Sequence, residues 1–153
     1  MASITLAAYT TEMTKLVVNK GFLNPNEVGG KVKVATFGFT NGSSTLAATS
    51  VICLTRLPKG AKVLDLRVDT NNATATSTLA VGYTPTSALV DTTAAAFAAA
   101  TAASSGATTI GLKANATGTE LTAESYLIAT VGTAAFGASK KITGYVLYVD
   151  GDY

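Results

Sequence analysis

The sequence contains no histidine and a single cysteine, Cys53, among its 153 residues. Serine–histidine and cysteine–histidine catalytic arrangements are therefore excluded within one chain, because each needs an imidazole as its general base. Zinc sites built from cysteine and histidine are excluded because the ligands are missing. One cysteine cannot form a disulfide within a chain, so we expect Cys53 to be a small buried hydrophobic residue.

Charge is also scarce, and tryptophan is absent. Charged residues make up 13% of the chain, whereas about 25% is ordinary. The net charge of +2 is too small to indicate a nucleic-acid-binding protein. It is unevenly spread, however, since residues 1–62 carry +5 and residues 63–153 carry −3.

The basic excess at the start of the chain predicts a partner contact. Its first four basic residues are Lys15, Lys20, Lys31 and Lys33. Such a segment fits an acidic protein surface or phosphate groups. The simpler interpretation is that scattered lysines keep exposed strands soluble. We take these four lysines as candidates for contact with an acidic partner.

No targeting segment is predicted. Residues 1–22 lack a basic stretch followed by an apolar run, so they do not resemble a secretory signal peptide. No run of about 18 strongly apolar residues predicts a membrane-spanning helix. We therefore expect synthesis in a cytoplasm and no membrane partner.

The chain is rich in small and β-branched residues: 27 alanines, 26 threonines and 14 glycines. Threonine favours strands, because its branched side chain suits a half-exposed pleated surface. Residues 1–30 include the turn formers Pro25, Gly29 and Gly30, which predict an irregular N-terminal arm. Residues 31–153 are predicted to form a single domain.

Alternating hydrophobicity predicts about eight short strands in that domain. The clearest case is 63–70, where Leu64, Leu66 and Val68 lie on one face and charged residues on the other. The remaining predicted strands are 31–39, 50–57, 78–83, 108–113, 119–122, 125–131 and 142–149. Short strands at this spacing indicate a β-sandwich or jelly roll.

Two local features complete the predicted fold. Val32 and Val34 have the opposite parity to Phe37 and Phe39, so a bulge in between would turn both pairs towards the core. The alanine-rich run 94–103 predicts one short helix, because alanine has the highest helix propensity. Phe97 would be its only large anchor.

The last two strands are apolar on both faces, which is typical of a sheet centre or a subunit interface. Tyr145 and Tyr148 lie on opposite faces of the final strand, and the pattern suggests a core anchor and an interface anchor respectively. The candidate subunit-interface residues are Tyr126, Ile128, Tyr145, Leu147 and Tyr148.

No set of residues predicts catalysis, a metal site or a cofactor. Asp65 and Asp69 share a strand face about 13 Å apart, which is too far for a glycosidase carboxylate pair. With Arg67 between them, they are better interpreted as a solvated row of charges. Asp150 and Asp152 lack the rest of a calcium-binding loop. We therefore predict that the protein is not an enzyme.

A resemblance to a known family rests on four segments taken together. They are 57–64, 77–83, Asp91 followed by the alanine-rich run with Phe97, and 142–149. Their order and spacing resemble the capsid decoration, or cement, proteins among the small virion structural proteins of tailed bacteriophages. The resemblance covers approximately residues 31–150, and the arm has no counterpart.

The resemblance implies an all-β, jelly-roll-like β-sandwich without enzymatic activity. It further implies homotrimers on the outer capsid surface that bridge neighbouring major capsid proteins, after synthesis in the host cytoplasm and without direct contact with nucleic acid. An alternative is the receptor- or carbohydrate-binding head of a phage fibre or tail. The missing tryptophan disfavours this alternative, because sugar rings commonly stack on aromatic side chains.

Overall fold

A computed structural model describes residues 32–71, 77–87, 93–103 and 108–149. These residues form nine β-strands and one turn of 3-10 helix at Ala114–Ala116. The strands are β1 (Val32–Thr40), β2 (Val51–Leu57), β3 (Lys62–Thr70), β4 (Thr78–Pro85), β5 (Ala98–Ala102), β6 (Thr108–Gly111), β7 (Thr119–Glu120), β8 (Ser125–Gly132) and β9 (Lys141–Val149). The all-β prediction is confirmed.

The strands form two antiparallel sheets. The first sheet has the order β1–β9–β3–β6, and β7 pairs with the other end of β3. The second sheet has the order β2–β8–β4–β5. Of the strands that follow one another in the chain, β4 and β5 are paired neighbours. Most connections therefore cross from one sheet to the other.

The inner faces of both sheets supply one hydrophobic core. Burial partly alternates along β2, β3 and β8, as expected for strands with one face turned inward. The largest fully buried side chains of this core are Phe97, Phe136, Leu57, Leu66, Leu79, Leu121, Leu127 and Ile142. Since β2, β3, β4, β8 and β9 all contribute to the core cluster, the two sheets form a sandwich-like pair of layers.

Strand β3 largely follows its predicted alternation. Leu66 and Val68 are buried, and Arg67 between them is exposed. The register against β9 shifts between Val63 and Asp65, which removes Leu64 from the regular pattern and leaves it half-buried.

Strand β1 contradicts the predicted bulge. Its nine residues pair with β9 without any register shift. Phe37 is buried and Phe39 packs against the core, so Val32 and Val34, with the opposite parity, point outward. Their exposed fractions are 56% and 58%. The predicted bulge is wrong because the prediction took both valines to be buried along with both phenylalanines.

The alanine-rich segment is not a helix. Ala98 pairs with Val81 and Ala102 with Thr78, so this run forms β5. The Phe97 amide donates a hydrogen bond of 2.9 Å to the carbonyl of Val81. Pairing with β4 and complete burial of Phe97 outweigh the helix propensity of alanine, which is a weak preference.

The predicted N-terminal arm, residues 1–30, lies outside the described residues, so the predicted domain boundary stays a prediction. In the part of the chain that the structure describes, no helix is long and apolar enough to cross a membrane.

Candidate interaction surfaces

Part of the outer face of the first sheet is apolar. Val32 lies opposite Val149, and Val34 lies opposite Leu147, on the paired strands β1 and β9. Tyr145 follows on the same face of β9, because side chains two residues apart on a strand share a face. We call these five side chains the outer apolar patch. Tyr145, Leu147 and Val149 are half-buried in the single chain.

Strand β3, which neighbours β9 in the same sheet, carries charges on this face. The Arg67 Nε donates to both carboxylate oxygens of Asp69, at 3.2 and 3.0 Å. The Thr109 hydroxyl, on β6, donates to Asp69 Oδ1. The hydrogen bond from Thr109, followed by that from Arg67, lowers the pKa of Asp69. The predicted row of charges is therefore an ordered ion pair beside Asp65.

The outer face of the second sheet carries a second ion pair. Arg56 on β2 pairs with Glu124, which precedes β8, and the side chain of Tyr126 lies opposite Arg56. The hydrogen bond from Arg56 lowers the pKa of Glu124. Cys53 is exposed on this strand, so the prediction that it is buried is wrong. Its parity places it with Ile128 on the outer face rather than in the core.

Ile128, a predicted interface residue, is fully buried within the single chain. It lies between Cys53 and Gly82 on the outer face of the second sheet. A side chain on Gly82 would collide with the backbone of Thr93 and Ala94, so the chain crosses this face there. Ile128 is therefore unavailable to a partner, whereas Tyr126 remains half-buried.

The two tyrosines of β9 lie on the faces opposite to those predicted. Tyr148 packs against the hydrophobic core. Tyr145 lies on the outer face, opposite Thr36 and Arg67, both of which are exposed. The register of β9 decides this, because Val146 and Tyr148 share a face and Val146 is fully buried.

Of the four candidate lysines, Lys33 lies in the described part of the chain. It is exposed and lies opposite Tyr148, so it points away from the face that carries Val32 and Val34. Lys15, Lys20 and Lys31 lie outside the described residues. Lys33 therefore does not share a face with the outer apolar patch.

Two loops at one end of the sheets are joined by hydrogen bonds, a feature that the sequence did not reveal. Leu46, between β1 and β2, and Phe136, between β8 and β9, exchange backbone hydrogen bonds of 2.9 and 2.8 Å. The Asn41 side-chain amide donates to the carbonyls of Ser44 and Gly137, at 2.8 and 2.9 Å. Phe136 is fully buried and stands among small residues in the sequence. This single large side chain is the sequence feature that could have indicated a buried loop contact.

The described residues include one small pocket beside β3 and β9. A shallow pocket of about 150 Å³ is lined by Asp69, Thr70, Asn71, Lys141 and Thr143. Pockets that hold small-molecule ligands are usually about 300–1,000 Å³. Among the described residues, no group of three or more acidic or cysteine side chains is placed to hold a metal ion.

No protein-family model matches the sequence, and no curated protein matches it.

Solved structures do match. A chain from the capsid of Ralstonia phage GP4 aligns with a TM-score of 0.67 and 21% identity, covering 81% of this chain and 87% of that one. This protein shares its fold with chains of phage capsid structures. A chain from the cyanophage Pam1 capsid aligns with a TM-score of 0.58 and 22% identity over 80% of this chain and 86% of that one. A chain from the acid-stable capsid of Helicobacter pylori bacteriophage KHP30 aligns with a TM-score of 0.53 and 24% identity, covering 77% of this chain and 86% of that one.

Proposed function

We propose that the protein is a structural component of a phage virion that decorates the capsid and bridges neighbouring capsid subunits. The observation that carries this proposal is the likeness to the GP4 capsid chain, which extends over 87% of that chain. A shared fold alone does not fix a function. The likeness to two further phage capsid chains and the lack of histidine add support.

We further propose that the fold is a jelly roll. Its sheets, β1–β9–β3–β6 and β2–β8–β4–β5, contain four principal strands each. Eight strands in two sheets, with connections that pass repeatedly from one sheet to the other, are what two Greek keys produce when wrapped together. The strand order supports this more specific assignment.

The proposed mechanism is additive stabilisation by many weak contacts. A capsid presents the same binding position many times, so a modest contact at each position strengthens the whole shell. The partners would be the major capsid protein and further copies of this chain, as a homotrimer, on the outer surface. No step of this mechanism requires catalysis, a cofactor or direct contact with nucleic acid.

The test compares particles produced by the encoding phage genome with and without this gene. We expect particles that lack the protein to release DNA at a lower temperature and after a milder osmotic shock. Restoring the gene from a plasmid should restore resistance. Equal resistance of both particles would contradict the stabilising role. Intact shells that fail to adsorb to host cells would instead favour a fibre or tail head.

A further inference from the structure

The outer apolar patch is unusual for the surface of a single chain. Among the described residues, the large hydrophobic side chains that are exposed are Val32, Val34 and Val51. Two of these three lie next to each other in the patch. Directly opposed residues on paired strands have Cβ atoms about 4.5–5.5 Å apart. Val32, Val34, Leu147 and Val149 therefore form one continuous apolar area that Tyr145 extends.

The charges beside this patch have both signs. Asp65 lies opposite Leu147, and Arg67 lies opposite Tyr145. Arg67 is paired with Asp69, whereas no ion pair joins Asp65 to any described residue. A row with both signs can be complementary to a second copy of itself, while a strongly acidic or strongly basic partner would meet like charges. The charge pattern favours another copy of this chain over a partner of one sign.

The area of the face is sufficient for such a contact. Three strands of the face, β1, β3 and β9, are nine residues long, while β6 has four residues and β7 has two. At spacings of about 4.8 Å between strands and about 3.3 Å per residue, the face covers roughly 520 Å², or about 1,050 Å² for two copies. A specific interface buries at least about 1,000 Å² in total.

We propose that the outer apolar patch is the surface through which copies of this chain associate. Val34 and Leu147 lie at the centre of the contact, and the row Asp65–Arg67–Asp69 lies beside it. This inference rests on the proposed function for its setting on a capsid. Because the same face meets itself, the contact joins copies in pairs about a two-fold axis, and it is separate from the contacts that would form a homotrimer. Val32 and Val34 act in this contact rather than in the core.

The test uses the purified full-length chain, free of particles, in sedimentation velocity experiments over a range of concentrations. Val34→Lys places a charge at the centre of the patch. Val51→Lys is the matched control, because Val51 is also an exposed strand valine, but on the second sheet. Circular dichroism and thermal unfolding establish that both variants are folded.

We expect the wild-type chain to sediment as an oligomer and Val34→Lys to weaken association by about tenfold or more. Val51→Lys should change it by about twofold or less. A wild-type chain that is monomeric at every concentration would overturn the proposal, as would a folded Val34→Lys variant that associates normally. If Val34→Lys fails to fold, Val34→Thr should still weaken association, and normal association would overturn the proposal.

Adding purified shells separates this inference from the proposed function. A wild-type oligomer that does not bind shells would contradict the decoration role and leave the association surface supported. A wild-type monomer that binds shells would overturn the association surface and leave the decoration role supported.

Discussion

Phe37 and Gly144 lie directly opposite each other on β1 and β9, and the phenyl ring covers the position where a side chain of Gly144 would stand. A Cβ atom at Gly144 would lie 2.8 Å from Cζ of Phe37 and would also collide with the carbonyl of Arg67. An aromatic ring over a cross-strand glycine restores the burial that the glycine cannot provide. The contact occurs in the same register that turns Val32 and Val34 outward.

Gly144→Ala should destabilise the fold by about 1–3 kcal/mol, because the added methyl group would collide with the backbone carbonyl of Arg67 and with the ring of Phe37. Urea denaturation measures the free energy of unfolding. Gly42→Ala is the control, since a Cβ atom at Gly42 has no neighbour within 4 Å. Equal stability of the two variants would contradict the close packing of β3 and Phe37 around Gly144.

Thr109→Val should raise the pKa of the Asp69 carboxyl towards its ordinary value of about 3.9. The hydroxyl of Thr109 stabilises the charged carboxylate, so the stability that it contributes is present above this ordinary pKa. That stability is lost as the pH falls towards the lower pKa of the folded state. A carbon-13 NMR titration of the carboxyl group measures the change. Thr36→Val, on the same face, should leave the titration of Asp69 unaltered.

Phe97→Ala should cost about 3–5 kcal/mol of stability, because Phe97 is fully buried. Its ring centroid lies 5.5 Å from that of Tyr83, so the substitution also removes an aromatic contact. Chemical denaturation followed by tyrosine fluorescence checks the loss. Phe39→Ala provides the comparison, since Phe39 is partly buried. A larger loss of stability for Phe39→Ala than for Phe97→Ala would contradict the burial of Phe97 described above.

Charge reversal in the arm tests its proposed contact with an acidic capsid surface. The double variant Lys15→Glu, Lys20→Glu should bind purified shells more weakly than the wild type. The difference should shrink as salt screens the interaction. Lys59→Glu, in the exposed turn between β2 and β3, is the control, and it changes the charge by two units where the double variant changes it by four. Unaltered binding by the double variant would remove the arm lysines from the contact.

The sequence predicted the strands better than it predicted which faces they bury. Alternation located β3 and β4, and apolar runs located β8 and β9; each of these strands pairs on both sides. It failed at β1, where two phenylalanines and two valines compete for the core and only the register with β9 decides between them. The run containing Phe97 failed for a related reason, since its pairing with β4 is a contact between distant parts of the fold that local propensity does not contain.

The candidate surfaces were predicted only in part, for the same reason. Leu147 lies on an outer face, as the two-faced pattern of β9 suggested. Tyr145, predicted as a core anchor, lies on that outer face too, whereas Tyr148 and Ile128 are turned inward or covered. The hydrogen bonds between the loops at Leu46 and Phe136 join residues 90 positions apart in the chain. Composition correctly indicated an all-β fold, whereas cross-strand register and loop pairing required three-dimensional coordinates.

The most direct test of the proposed virion role is a cryo-electron microscopy reconstruction of the particle that the encoding genome produces. The account predicts density for this fold at symmetry-related positions on the outer surface of the shell, touching more than one major capsid protein. It also predicts a copy number that follows the capsid symmetry. The absence of such density from the shell, or its presence only at a tail tip, would contradict the account.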